Sequence, residues 1–401
     1  MYKKVALAFT GGLQSSVCLH WLVERRGAKV MAVIAEIGQQ SPTWELGEYA
    51  VSLGASGAHI EDCCEEFCRD YAFRALRASA IYERRYLLSG ALARPLIAAV
   101  ITRIARQEGC HYLALGTSSR SNDLHRFEMN VSAFDADVEI IRPDEIPPLR
   151  SRQDALKYAE KNGIVPPEST IPTLSYDTNL WGGAVAADGS LGTWEPLPED
   201  TYRLTANPMA APQEPEEIVI EFYKGNPVAV NGEDLAAHTL VQRMNEICGR
   251  HGIGRAEVIE DRLTGQKSRE VYEAPGSTAL MEAHSALEEL TLDYKTLEAK
   301  SEAARWYAEL VYDGLWFSQL RNALDAFMDV TQEHVSGKVR LRLFRGSVSV
   351  VGRQSEKSLY NGNNTPGESP IVTRSNSDKF AARKFLPFRV VEEPSTAEKG
   401  H

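Results

Sequence analysis

The sequence predicts an α/β domain built on a parallel sheet, followed by an α+β half and a polar tail. Three observations carry this. The first is the pairing of "KVALAF" and "KVMAVIAEIG", apolar β-branched runs suited to strands buried on both faces, with "SSVCLHWLVERR" between them at helical spacing. The second is the repetition of that rhythm: "ARPLIAAVITRIARQEG" reads as a helix, and "YLALG" (112–116) and "VEIIRP" (138–143) read as further strands. The third is its interruption by the turn-rich "GIVPPESTIPTLSYDTNLWGG" (163–183).

Beyond that stretch the pattern changes. "EEIVIEFYKGNPVAVNG" (216–232) and "KVRLRLFRGSVSVVG" (338–352) alternate apolar and polar residues around a glycine turn, as hairpins do. Between them "STALMEAHSALEELTL" and "SEAARWYAELVYDGLWFSQLRNALDAFMDVTQEHV" read as long helices. From Asn361 the chain turns polar, which suits a loosely ordered or partner-docked tail. The expected division is 1–165, 166–360 and 361–401. In open parallel sheets ligands bind beyond the carboxyl ends of the strands, so 8–16, 35–39 and 116–128 are expected at one mouth.

The 401 residues are 43% apolar and 25% charged, ordinary for a globular protein. A net charge of −11, from 44 basic and 55 acidic side chains, argues against a general nucleic-acid binder, whose affinity rests on neutralising phosphates. No uninterrupted apolar run approaches the roughly 18 residues that span a bilayer. The apolar run after the first lysines is too short for a signal-peptide core. The expectation is a cytoplasmic protein without a membrane or nucleic-acid partner. Six cysteines show no C-x-x-C spacing; Cys64 and Cys68 could share a helix face, but ordinary reduced thiols are the simpler reading, and no residue set has metal-ligand spacing.

"AFTGGLQSS" (8–16) lies between the first strand and the first helix. It has neither Walker nor G-x-G-x-x-G spacing. On its own it reads equally as a tight turn with a serine cap or as a loop in which Gly11 and Gly12 let the backbone approach a phosphate. In the second reading Ser15 and Ser16 add hydroxyl donors at the helix N-terminus.

Other segments decide between the two. "TGGLQSS", "AEIGQ" (35–39), "YLLSGALARPLI" (86–97), "GTSSRSNDLHRFE" (116–128), "SYDTNLWG" (175–182), "EDRLTGQKSREVYEAPGST" (260–278) and "YAELVYDGLWFS" (307–318) follow in order the segments of the argininosuccinate synthase family. The resemblance covers residues 2 to roughly 360. It implies a nucleotide-binding domain with a pyrophosphatase-type ATP loop, a synthetase domain, and C-terminal segments that assemble a homotetramer. The implied activity is an ATP-dependent carbon–nitrogen ligase of arginine biosynthesis. The ureido oxygen of citrulline is adenylated, and the aspartate amine then displaces AMP.

Carried over by position, the ATP site comprises Ala8, Phe9, Thr10, Gly11, Gly12, Leu13, Gln14, Ser15, Ser16, Ala35 and Gly116. Ser118, Asn122 and Asp123 fall where the family binds aspartate. Tyr86, Ala91, Asn122, Arg126, Ser175, Ala184, Glu260 and Tyr272 fall where it binds citrulline. Asn122, Asp123 and Arg126 are the candidate catalytic residues. Arg126 suits a carboxylate through its paired donors, and Glu260 suits an ammonium. Magnesium is implied only as the counter-ion of ATP.

Several positions depart from the family. Gln14 replaces the loop aspartate, and a neutral amide is a poorer ligand for a hard cation. Ala91 and Ala184 stand where the family has serines, and Gly90 where it has threonine. Ser118 keeps a hydroxyl, Ser119 and Ser121 replace glycines, and Arg120 replaces a lysine. These departures leave two alternatives: a paralogue that uses another ureido, amide or carboxyl acceptor, and a catalytically silent binding protein on the same scaffold.

Overall fold

The computed structural model describes residues 4–39, 43–117, 121–134, 138–167, 174–187 and 192–360. The chain opens with β1 (Lys4–Ala8), α1 (Leu13–Arg26), β2 (Lys29–Glu36), α2 (Thr43–Ser52) and β3 (Gly57–Asp62). Two helical turns, α3 (Cys64–Glu66) and α4 (Phe73–Arg77), lead to α5 (Ser89–Gln107). Then β4 (Tyr112–Leu115), α6 (Asn122–Ser132), β5 (Glu139–Ile141) and α7 (Arg152–Asn162) complete the first half. Its five strands are parallel in the order β3-β2-β1-β4-β5. The order reverses direction between β1 and β4, so their carboxyl ends flank the crevice where such sheets bind ligands. β3, half-exposed at the sheet edge, lacks the apolar run by which the other strands are recognised.

The second half contains two antiparallel sheets. β6 (Leu174–Asn179), β7 (Gly182–Ala187), β11 (Arg255–Asp261) and β12 (Lys267–Glu273) form a four-stranded sheet in the order β11-β12-β7-β6. β8 (Glu216–Tyr223), β9 (Asn226–Val230), β10 (Glu233–Asp234), β13 (Gly337–Phe344) and β14 (Ser347–Gln354) form a five-stranded one, β10-β9-β8-β13-β14. Both expected hairpins are present in it. Each closes on two residues with positive φ, Lys224-Gly225 and Arg345-Gly346, the turn geometry that matches strand twist. α8 (Ala237–Arg250), α9 (Pro275–Thr291), α10 (Tyr294–Tyr312) and α11 (Gln319–Thr331) pack around them.

The single long helix expected over 301–335 is in fact two. Gly314 adopts a left-handed φ of 77°, and a Cβ there would lie 2.7 Å from the Arg126 Cα. The break therefore lets the α10–α11 turn press against α6. α5 also begins earlier than its apolar pattern suggests, because the Tyr86 hydroxyl accepts hydrogen bonds from the amides of Gly90 (3.0 Å) and Ala91 (3.2 Å).

α1, α2 and α7 contribute to a core on one face of the parallel sheet. On the other face α5 joins the sheet to the second half, so one apolar cluster runs from Ala6 and Val33 through Leu92 and Leu96 to Ile218 and Leu341. The six cysteines are free thiols, and burial pushes those of Cys63 and Cys64 up to about 12. Among the described residues no helix is long and apolar enough to cross a membrane.

Candidate active site

The loop after β1 is shaped by two glycines. Gly11 has a φ of 73°, and a side chain there would strike Leu46. Gly12 occupies the N-cap of α1 with no side-chain cap, and the first turn holds no acidic residue. By contrast α6, α7, α10 and α11 are capped by Ser121, Ser151, Asp293 and Ser318. An uncapped helix start with free N–H groups and no acid nearby favours an anion.

Ser15 and Ser16 do not aim outward as the sequence suggested. Ser15 Oγ donates to the Gly12 carbonyl (3.1 Å) and lies 3.1 Å from Thr10 Oγ1; Ser16 Oγ donates to the same carbonyl (2.8 Å) and to that of Gly11 (3.3 Å). Both side chains are buried. They brace the loop from within, and the Gly12 amide turns back to Thr10 Oγ1 (3.4 Å). Phe9 is buried beneath it and Leu13 and Gln14 open α1 half-exposed.

Gly116 ends β4 directly against this loop. A Cβ there would lie 2.6 Å from Ser15 Cβ and 2.7 Å from Ser15 N, so only glycine permits the contact. Ala8 ends β1, where it pairs with Val33 and with Leu115, and Ala35 lies one residue before the end of the neighbouring β2. Gly38, just after β2, meets Leu180 of the β6–β7 turn, and the Leu180 amide donates to the Ile37 carbonyl (2.9 Å). The second half thus rests on the mouth of the parallel sheet.

Register accounts for the other wall. Ala184 pairs with Asp177 on one side and Tyr272 on the other, and β12 carries the pairing on to β11. Directly paired residues share a face, so Asp177, Ala184 and Tyr272 share one. Glu260, opposite Ser268 four residues before Tyr272, falls on that face too. Ser175 stands at the register position opposite Ala186. Ser118, with Ser119 and Arg120, lies outside the described residues.

These elements join through aromatic rings and hydroxyls. Tyr86 is buried and stacks on Tyr272 with ring centroids 4.0 Å apart. Tyr272 donates to Glu260 Oε2 (2.5 Å), and Tyr312 donates to Oε1 (2.9 Å). Asn122 Nδ2 donates to the Tyr312 hydroxyl (3.0 Å), while its Oδ1 accepts from the Leu263 amide (3.2 Å). Arg126 lies under the Tyr312 ring at 4.6 Å and donates through Nε to the Tyr312 carbonyl (2.7 Å). Its Nη1 reaches Asp123 Oδ1 at 3.0 Å, one turn back on α6. Ser121 sets this start, accepting from the Asp123 amide at 3.1 Å.

Electrostatics separates the two acids. Burial raises the Glu260 carboxyl above its ordinary value, although both tyrosine hydroxyls oppose the shift. Burial would raise Asp123 too, but the guanidinium groups of Arg94 and Arg126 outweigh it and hold the carboxyl well below the usual range. Burial also pushes Tyr86 up to about 12, so it stays a neutral hydroxyl. Asp123 is therefore held as a charge, whereas burial makes the Glu260 carboxyl keep its proton more readily than an ordinary glutamate.

The sequence reading named Tyr86, Asn122, Asp123, Arg126, Glu260 and Tyr272, and the structure brings them together. It did not single out Tyr312, Arg94, Asp177 or Tyr82, which stacks on Tyr312 with centroids 3.6 Å apart. Tyr312, Arg94 and Asp177 sit inside the resembling segments, but a lone tyrosine, arginine or aspartate there carries no signal of its own.

Residues 4–165 match the family model "Arginosuccinate synthase N-terminal HUP domain", and 174–384 match "Arginosuccinate synthase C-terminal domain". The second match runs past Asn361, where the sequence reading placed a tail. The chain is 45% identical to the argininosuccinate synthase of Carboxydothermus hydrogenoformans, over 97% of this chain and 98% of that one. It is 43% identical to that of Desulfitobacterium hafniense DCB-2, over 97% of each, and 39% identical to that of Clostridium tetani, over 97% and 98%. Neither a changed acceptor nor a silent scaffold gains support from these matches. With both halves matched in order and nearly the whole chain aligned, the chain belongs to the argininosuccinate synthase family.

Proposed function

We propose that the cleft between the mouth of the parallel sheet and the four-stranded sheet is where this chain, an ATP-dependent carbon–nitrogen ligase, joins citrulline to aspartate. The ATP phosphates lie on the Phe9–Ser16 loop, held by backbone amides, with Ala8, Ala35 and Gly116 around the nucleotide. Citrulline lies along Tyr86, Arg126, Ser175, Glu260 and Tyr272, beside Ala91 and Ala184. Aspartate lies on Ser118, Asn122 and Asp123. The citrulline ureido oxygen attacks the α-phosphorus and pyrophosphate leaves; the aspartate amine then attacks the ureido carbon and AMP departs with the oxygen. A urea oxygen is a poor leaving group, and adenylation makes it a good one. The protein's contribution is to align three substrates and to place donors where charge develops.

The observation that carries this reading is the unbroken chain Tyr86–Tyr272–Glu260–Tyr312–Asn122, which ties the acceptor wall to the amine side. Magnesium enters as the ATP counter-ion. Gln14 is neutral and the first turn of α1 has no acid, so the loop itself would offer the ion no carboxylate. A homotetramer is part of the same proposal, supported by Trp306, Leu320, Phe327 and Val330, apolar side chains exposed on α10 and α11.

Two expected results test it. Pyrophosphate release by the purified protein should require ATP, aspartate and citrulline together and should match argininosuccinate formed; release without citrulline would sink the assignment. Gly116→Ala should lower kcat/KM for ATP by about a hundredfold, because the added methyl forces β4 and α1 apart by a fraction of an ångström to an ångström. Steady-state kinetics with ATP varied reads this, and a wild-type value would mean the close approach has no bearing on ATP.

A further inference from the structure

Arg94 and Asp177 have no part in the reading above, yet they are joined to its centre. Arg94 projects from α5 with its side chain 11% exposed. Its Nη2 donates to Asp123 Oδ2 at 2.9 Å and to Asp177 Oδ2 at 2.5 Å, while its Nε is buried without a partner in the described structure. Each oxygen of Asp123 therefore accepts from a different guanidinium, Oδ2 from Arg94 and Oδ1 from Arg126.

Asp177 differs from Asp123 in being open. Its side chain is 40% exposed, on the sheet face that carries Ala184 and Tyr272. A Cβ on Gly90 would stand 3.0 Å from Asp177 Oδ2 and 3.2 Å from the Tyr86 hydroxyl, so the glycine keeps a gap between those two groups. This arginine and its two carboxylates tie α5, α6 and β6 together.

We propose that Arg94 is a positioning residue of the ligation: through one nitrogen it holds Asp123 and Asp177 along a single wall, so that Asp177 is the carboxylate that first meets the ammonium of aspartate. This rests on the function proposed above and adds to it which groups select and hold the amine substrate. Arg94 acts through the two acids. Asp177 touches the substrate.

The consequence is a signature in pH. Asp123 faces Arg94 from α5, Arg126 on its own helix, Tyr86 before α5 and Asp177 on β6. With both arginines present its carboxylate remains charged far into acid. Without Arg94, one guanidinium remains and Asp177 is left as an unneutralised neighbour, so Asp123 takes up its proton at higher pH.

The test is kinetics of argininosuccinate formation across pH for the wild type, Arg94→Met, Arg94→Lys and Asp177→Asn, with each substrate varied. The expected result is an aspartate KM raised by about tenfold or more in Asp177→Asn and Arg94→Met, with citrulline and ATP KM unchanged. The acid limb of kcat/KM for aspartate should move upward in Arg94→Met and be partly restored in Arg94→Lys. If all three KM values change together, or the acid limb stays put while aspartate KM is unchanged, Arg94 is merely structural and the proposal fails, although the function stands. If Arg94→Met does not fold, Asp177→Asn decides on aspartate KM alone. If the wild type forms no product, the function itself fails and this proposal with it.

Discussion

Asp123→Asn is expected to reduce kcat/KM for aspartate by about a thousandfold and to cost about 3–5 kcal/mol of stability. The reason is that the change leaves two cations behind. Arg126 has a side-chain exposure of 6% and Arg94 of 11%, and both donate to Asp123. An amide keeps the size of the carboxylate but accepts through one oxygen only and carries no charge. One guanidinium must then face an N–H₂ group, and the charge of the other is opposed only by Asp177. The sign with pH is definite. The folded carboxyl is depressed below its unfolded value, so its contribution is complete above the unfolded pKa, about 4, and fades only as pH falls through the folded one. The stability deficit of the variant should thus be constant from neutral pH upward and shrink in acid. Urea unfolding at several pH values and steady-state kinetics read both quantities. A variant as stable as wild type at neutral pH would mean that the pairing is solvated rather than buried.

Lys300→Met should destabilise the protein by a similar amount, about 3–5 kcal/mol, at a place remote from the nucleotide loop. Lys300 is 2% exposed, and its ammonium donates to Ser79 Oγ (2.7 Å) and pairs with Glu288 Oε1 (3.1 Å). Glu288, 4% exposed, also accepts from Gln332 Nε2 at 2.6 Å, and Gln332 Oε1 is 2.8 Å from His284 Nε2. Removing the ammonium strands Glu288 in a region where burial already lowers the pKa of both Lys300 and His284. The network also anchors the strained segment that carries Tyr82 and Tyr86, since Ser79, Glu83, Arg84 and Leu88 all have positive φ. The double variant Lys300→Met/Glu288→Leu should recover most of the lost stability, because it removes the unpaired charge. Chemical unfolding of the two variants checks this, and a single variant within error of wild type would show that the pair contributes nothing.

Much of the first half was legible because strands buried on both faces have little freedom of composition. The interiors of "KVALAF" and "KVMAVIAEIG" are apolar between a charged first residue and the strand end, and the glycine loop between such a strand and a helix is marked by the residues that cannot be replaced there. The four-stranded sheet was not legible for the opposite reason. One face of "SYDTNLWG" and of "EDRLTGQKSREVYE" lines the cleft, so positions that would otherwise alternate apolar and polar carry Asp177, Glu260 and Tyr272. The break at Gly314 depends on a partner distant in sequence, Arg126, and the helix start at Ser89 on a tyrosine hydroxyl that carries no local helix signal. For the site, single residues such as Arg94 look like surface charges until β6 packs over them. Only the order of the resembling segments identified their neighbourhood.

The most direct test of the account is the fate of the citrulline ureido oxygen. With citrulline labelled by oxygen-18 at that position, incubated with ATP, magnesium and aspartate, mass spectrometry of the separated products should find the label in AMP and none in pyrophosphate. Label retained in the amino-acid product, or found in pyrophosphate, would contradict adenylation of the ureido oxygen and with it the roles assigned to this cleft.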